Sequence, residues 1–194
     1  MMDFSKVEVR RLKDKASPTY HNLWDYARSW AILRNPRIRA DIGVVFKKNV
    51  KISICDTGSL TIGDHSFFNE NCFVLLTMPH PKVDIGKWVF VGRNTIIASK
   101  NSVKIGDYTS IAPNCYIIDH EHGFAADDII LNQKSVLKEV VIGRDCLLCA
   151  GTIILGGVSI GDGVIVGAGS VVTKDIPAYQ IWAGNPARFI KMRE

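Results

Sequence analysis

The sequence predicts an all-β solenoid, a parallel β-helix of hexad-built coils preceded by a short helix and interrupted by one external loop. Two observations predict it. From Ile142 to Val172 an aliphatic residue stands at every sixth position (Ile142, Leu148, Ile154, Ile160, Val166, Val172), a period that fits neither a helix nor an ordinary strand. The same phase recurs upstream as Ile62, Phe68, Val74, then Ile85, Val91, Ile97, then Ile105, Ile111, Ile117, reset between groups by short insertions.

Residues 1–41 precede the repeat as a basic, helical segment. Residues 1–51 hold 12 Lys/Arg against 5 Asp/Glu, although the whole chain is only +5. Within the stretch TYHNLWDYARSWAILRNPR, Tyr20, Leu23, Trp24, Ala27, Trp30 and Ala31 recur at helical spacing, and Pro36 ends the pattern. The first expectation is a cap that packs these aromatics on the open end of the prism. A second rests the basic aromatic face on an anionic membrane as a peripheral contact. No nucleic-acid motif accompanies the charge, so nucleic acid is not an expected partner.

Residues 42–180 form the prism. The fourth residue after each aliphatic is mostly small or β-branched, as at Ser66, Cys72, Val89, Thr95, Thr109, Cys115, Cys146, Thr152, Val158, Val164 and Ser170. Each hexad thus offers one large and one small inward side chain to a narrow interior. Three hexads close a triangular coil, and coils stack at about 4.8 Å, so backbone hydrogen bonds run between coils and the interior is left to apolar groups. Glycine follows the aliphatic at Gly63, Gly86, Gly92, Gly106, Gly143, Gly161 and Gly167, where a tightly turning corner leaves no room for a side chain. Asn71, Asn94 and Asn114 each lie nine residues after a coil-starting isoleucine and are expected to stack as a ladder at a corner that tolerates left-handed backbone.

A single domain is expected from 194 residues that are 47% hydrophobic and 22% charged. No apolar run approaches the length of a membrane span, and the opening MMDFSKVEVRR lacks a hydrophobic signal core, so neither secretion nor a transmembrane anchor is expected. Cys72, Cys115 and Cys146 occupy the small inward slot, where a thiol fills space; a disulfide framework is not expected, and the expected compartment is a reducing cytoplasm.

Between Ile117 and Ile142 the phase is lost and the chain leaves the prism as a loop, residues 123–139. A long loop inside a regular solenoid is usually functional. Its leading edge carries Asp119, His120, Glu121 and His122, and two histidines one residue apart on extended chain point to the same side. An imidazole of pKa about 6.5 suits general-base removal of a proton from an attacking hydroxyl near neutral pH.

The hexad pattern resembles the hexapeptide-repeat acyltransferases, and that resemblance implies a left-handed parallel β-helix; the general crossover rule alone would give the opposite hand. The segment IGDYTSIAPNCYIIDHEHGF and the run GAGSVVTKDIPAYQIWAGNPARFIK, from Gly167 to Lys191 and so reaching into the C-terminal tail 181–194, resemble the maltose and galactoside O-acetyltransferase group and the polysaccharide O-acetyltransferases. The resemblance implies acetyl-CoA as cosubstrate, a sugar or saccharide acceptor, a histidine base with direct attack and no acyl-enzyme, no metal, and a homotrimer with the CoA groove between adjacent prisms. The gapless match from Ile105 to Asn114 places the family's catalytic histidine at His122 with His120 beside it; spacing leaves exchanged roles open. Position by position, Ala150 matches the backbone N–H that approaches the thioester carbonyl, and Ala168 a backbone contact to the pantetheine arm. Thr173, Lys174 and Arg188 match contacts near the phosphates and adenine. Asn94 lies one coil from the histidines, where relatives contact acceptor sugars. Many relatives read VWIG where this chain has Cys146, Leu147, Leu148 and Cys149. Leu147 therefore replaces a tryptophan that flanks CoA in the family, and either affinity is lower or another aromatic such as Trp182 compensates. The acceptor would be set by the loop and by the irregular coils near Met78 to Lys82. An amino-sugar N-acetyltransferase would use the same groove. Two rivals remain, a metalloenzyme resembling the β-helix carbonic anhydrase, which would need His80 as third ligand, and a non-catalytic scaffold.

Overall fold

The computed structural model describes residues 22–194. After one helix, Leu23–Leu33, the chain lays successive short strands on three parallel sheets in turn. Sheet A takes Ile38–Ala40, Ser59–Ile62, Lys82–Ile85, Ser102–Ile105, Val140–Ile142 and Ser159–Ile160; sheet C takes Lys51–Ile54, Phe73–Leu76, Ile96–Ser99, Tyr116–Ile118, Ile153–Ile154 and Val171–Val172. Sheet B takes Val45–Phe46, Phe67–Phe68, Phe90–Val91, Ser110–Ile111, Leu147–Leu148, Ile165–Val166 and Gln180–Ala183, and is closed by the antiparallel strand Arg188–Met192. Six strands each in sheets A and C make a parallel β-solenoid of about six turns.

The aliphatic period becomes columns. Ile62, Ile85, Ile105, Ile142 and Ile160 are direct register partners up sheet A, and none is more than 3% exposed. Burying each such side chain stabilises the fold by about 1.5–3 kcal/mol. The column runs straight through the long excursion, because Val140 returns opposite Val103. The small inward residues are buried as expected, and they do more than fill space. Ser66 donates to the Gly86 carbonyl at 2.8 Å, Thr109 to Gly143 at 2.9 Å and Cys72 to Gly92 at 3.0 Å, tying each coil to the next. Burial pushes the Cys72 and Cys146 thiols up to about 11, so both remain protonated and unreactive.

The glycines after the aliphatics serve close approach, with no turn of their own. A Cβ on Gly92 would lie 2.5 Å from the Ala112 backbone, and one on Gly106 would lie 2.6 Å from Arg144 N. The left-handed turn falls two residues later, at His65, Trp88, Tyr108 and Asp145 on one corner. On the next corner Asn49, Asn71, Asn94 and Asn114 take it with φ of 57–62°. Their amides form the expected ladder, Asn49 to Asn71 to Asn94 to Asn114 at 3.0–3.1 Å.

The helix caps the prism through the face opposite to the one expected. Trp24 and Trp30 are 74% and 65% exposed, whereas Asp25 and Ser29 are buried; Tyr20 lies outside the described residues. Asp25 and Ser29 face this interface because each finds partners there. Ser29 Oγ donates to the Asp25 carbonyl and accepts from Phe46 N–H, while Asp25 closes a capping box with Asn22 and pairs with Lys47 at 2.7 Å and Arg28 at 2.9 Å. Burial alone would raise the Asp25 carboxyl, but the Lys47 hydrogen bond, the Asn22 N–H and the two cations outweigh it and hold the group below its ordinary value. A depressed carboxylate stabilises the fold above its unfolded pKa and loses that contribution as pH falls through the folded value. Asp25→Ala is accordingly expected to cost about 1–3 kcal/mol at neutral pH and less once the pH has fallen through the depressed folded value, as thermal melts from neutral into acid pH would measure.

Candidate active site

The corners locate the site. Every connection from sheet A to B and from B to C is four residues long, whereas those from C to A vary: 55–58, then 77–81, then only 100–101, then 119–139, then 155–158. The described irregularity of the prism lies on this one edge, and the histidines stand on it.

Asp119 is the first residue off sheet C and is fully buried. Its Oδ2 accepts from Ser99 Oγ at 2.6 Å and Asn101 N–H at 2.9 Å; its Oδ1 accepts from Lys100 N–H at 2.8 Å and lies 2.9 Å from His120 Nδ1. The two-residue corner at 100–101 folds its backbone amides onto that carboxylate. A carboxylate only accepts, so in the neutral ring Nδ1 carries the proton and Nε2 the lone pair. The His120 ring is 14% exposed, held yet reachable. His122 is exposed and makes no hydrogen bond with any described residue.

The loop beyond is built, with partners of its own. His120–Glu121 pairs antiparallel with Val136–Leu137, Lys138 N–H donates to the Asp119 carbonyl, and Lys100 Nζ donates to Ser135 Oγ. Gln133 spans the bend by donating to the carbonyls of Ala125 and Asp128. From above, Gly156 closes on the histidine; a Cβ there would stand 3.1 Å from Asp119 C and 3.3 Å from His120 N.

The other expected residues divide among three places. Thr173 and Lys174 follow the last strand of sheet C and lie exposed on the histidine edge, two coils above His120 through the pairs Ile117 to Ile154 to Val172. Ala150 and Ala168 are exposed at the opposite edge, between sheets B and C, as is Asn94, whose amide is engaged on both sides by the ladder. Leu147 points outward from sheet B, 37% exposed and flanked by Ser110 and Ile165. Arg188 opens the final strand, exposed, with Nη1 on the Ala187 carbonyl. Trp182 does not stand beside Leu147: it pairs with Val166 in the inward column, packs against the core and donates Nε1–H to Gln180. His80 is exposed at 77–81, on the histidine edge but two coils below. Among the described residues no three His, Cys, Asp or Glu side chains gather as a metal-binding group.

Ser99, Lys100, Asn101 and Gly156 were not singled out from the sequence. The eight-residue step from Ile97 to Ile105, two longer than a hexad, was the available signal, because it marks a corner that departs from the repeat.

The profile of the family described as "Bacterial transferase hexapeptide (six repeats)" matches residues 139–174. The chain is 34% identical over 125 residues to the putative acetyltransferase YvoF of Bacillus subtilis, covering 64% of this chain and 59% of that protein. It is 51% identical over 53 residues to Serine acetyltransferase 2 of Arabidopsis thaliana, covering 27% of this chain and 16% of that one. It thus spans less than two thirds of the length of either relative. In fold it is similar to AntD, an N-acyltransferase from Bacillus cereus solved with dTDP and Coenzyme A, with a TM-score of 0.71 at 20% identity over 86% of this chain and 90% of that one. With the six-residue period wound into three-sheeted coils and residues 139–174 matched by the profile, the chain carries the hexapeptide repeat of the bacterial transferases.

Proposed function

We propose that this chain is a CoA-dependent acyltransferase that moves an acetyl group from acetyl-CoA to a hydroxyl or amine of a sugar or saccharide precursor, with His120 as general base. The observation that carries the reading is the Asp119–His120 pair, 2.9 Å apart, on the edge where the coil lengths vary. Acetyl-CoA supplies the acyl group as an activated thioester. His120 Nε2 takes the acceptor's proton as its oxygen or nitrogen attacks, and returns it to the departing CoA sulfur. Asp119 holds the ring in the required tautomer and stabilises the imidazolium between those transfers.

Lys174 and Arg188 suit the anionic end of the cosubstrate: both are exposed and neither has a carboxylate partner among the described residues. The exposed Ala150 corner offers a backbone N–H for the developing oxyanion, with Ala168 beside the pantetheine arm. Within one prism that corner and His120 lie on opposite edges of sheet C, roughly 13–16 Å apart for four to five extended residues. A homotrimer would resolve this by setting the histidine edge of one prism against the Ala150 edge of its neighbour. Leu147 would then line the groove wall with an aliphatic surface. The variable corners at 77–81 and 123–139 border the acceptor end and would select it. Relatives include a Serine acetyltransferase and an N-acetyltransferase of tetrahydropyridine dicarboxylate, and one base serves either nucleophile.

The test is calorimetric titration with acetyl-CoA, then a turnover screen over saccharides, nucleotide sugars and amino sugars. Lys174→Ala and Arg188→Ala are each expected to weaken acetyl-CoA by about 1–3 kcal/mol, with the loss shrinking as salt rises. Wild-type protein that fails to bind acetyl-CoA would overturn the reading.

A further inference from the structure

The helix Leu23–Leu33 buries its polar side and turns its aromatic side to solvent. Leu23 is 83% exposed, Trp24 74%, Tyr26 54% and Trp30 65%, with Ala27 and Ala31 exposed between them. The orientation is fixed from beneath by the Asp25, Lys47 and Ser29 contacts. An exposed patch of this size and composition marks an interaction surface.

We infer that this face docks on an anionic lipid bilayer, with the helix lying in the plane of the headgroups. Charge chooses the occupant. Residues 22–51 carry seven Lys/Arg; Arg28 and Lys47 pair with Asp25 and Arg37 with Asp56, which leaves Arg34, Arg39, Lys48 and Lys51 as an excess over Asp41. The Arg34 guanidinium lies 4.9 Å over the Trp30 ring, and Arg39 and Lys48 are exposed nearby in sequence. Tryptophan and tyrosine favour the headgroup level, where an apolar ring body and a polar edge are both accommodated, and arginines beside them meet lipid phosphates. At 11 residues the helix is too short to cross a bilayer; a short helix with aromatics on one side and a docked polar side is suited to resting on one. Such docking would hold the prism, and the histidine edge with it, at a membrane surface.

The experiment is cosedimentation of the full chain with vesicles of phosphatidylcholine, alone or with about 30% phosphatidylglycerol. Binding to the anionic vesicles only, weakened by salt, is expected. Trp24→Ser with Trp30→Ser, and separately Arg34→Gln with Arg39→Gln, should each lower partitioning roughly tenfold, with melting curves to confirm folding. The arginine pair keeps the test decisive if the tryptophan pair does not fold. Absence of binding by wild type, or binding unchanged in the folded variants, overturns the inference. So does protection of Trp24 and Trp30 from acrylamide without vesicles, which would assign the face to residues 1–21 or to a second copy of the chain.

Discussion

His120→Ala is expected to lower kcat by about 10²–10⁴ while leaving acetyl-CoA affinity near wild type, because a general base acts in the transition state and not in cosubstrate binding. His122→Ala should change kcat by less than about tenfold, since its ring has no orienting partner among the described residues and an unheld base contributes little. The gapless family match favours His122, whereas the hydrogen bond to Asp119 favours His120. Steady-state kinetics of the two variants separate these readings: collapse of turnover in His122→Ala alone would return the role to His122, and full activity in both would remove the histidine mechanism.

The repeat was legible because burial in a narrow prism is periodic. Phe68, Ile97, Ile111 and Leu148 all fall on the aliphatic phase and all are fully buried. Corner lengths could be read only from the steps between aliphatics, so the 25-residue gap after Ile117 stood out and the eight-residue step from Ile97 to Ile105, which holds the corner at Lys100 and Asn101, did not. The site depends on that corner, since its amides and Ser99 grip a carboxylate 18 to 20 residues ahead, and a pattern of side-chain types carries no sign of such a meeting. The helix misled for a related reason. Its aromatic spacing announced one apolar face, but Asp25 and Ser29 found Lys47 and Phe46 N–H across the interface, and those polar contacts decided which side faced in. Glycine positions were read correctly as crowded, yet the turns they were thought to make belong to His65, Trp88 and Asn94 two residues further on.

Asp119→Asn is expected to lower kcat by about 10²–10⁴ and also to destabilise the fold by about 1–3 kcal/mol, the cost of leaving a buried donor unsatisfied. The carboxylate meets two backbone N–H groups on different oxygens, Lys100 on Oδ1 and Asn101 on Oδ2, and neither can reverse its role. Whichever way the asparagine amide turns, its NH₂ faces one of them. If the NH₂ takes the Oδ1 position it also donates to His120 Nδ1, which forces the proton to Nε2 and removes the lone pair that takes the acceptor's proton. If it takes the other, Ser99 Oγ can rotate to accept, the Nδ1–H contact survives, but the neutral amide no longer stabilises the imidazolium. A purely structural aspartate would behave differently: its variant, measured below its melting range, would show stability loss with kcat intact. The discriminating measurement is therefore kcat against pH at a temperature where the variant is folded, together with ¹⁵N chemical shifts of the His120 ring. Nε2 protonated in Asp119→Asn but not in wild type identifies the orienting role; an unchanged tautomer with unchanged kcat would reduce Asp119 to a structural plug at the foot of the loop.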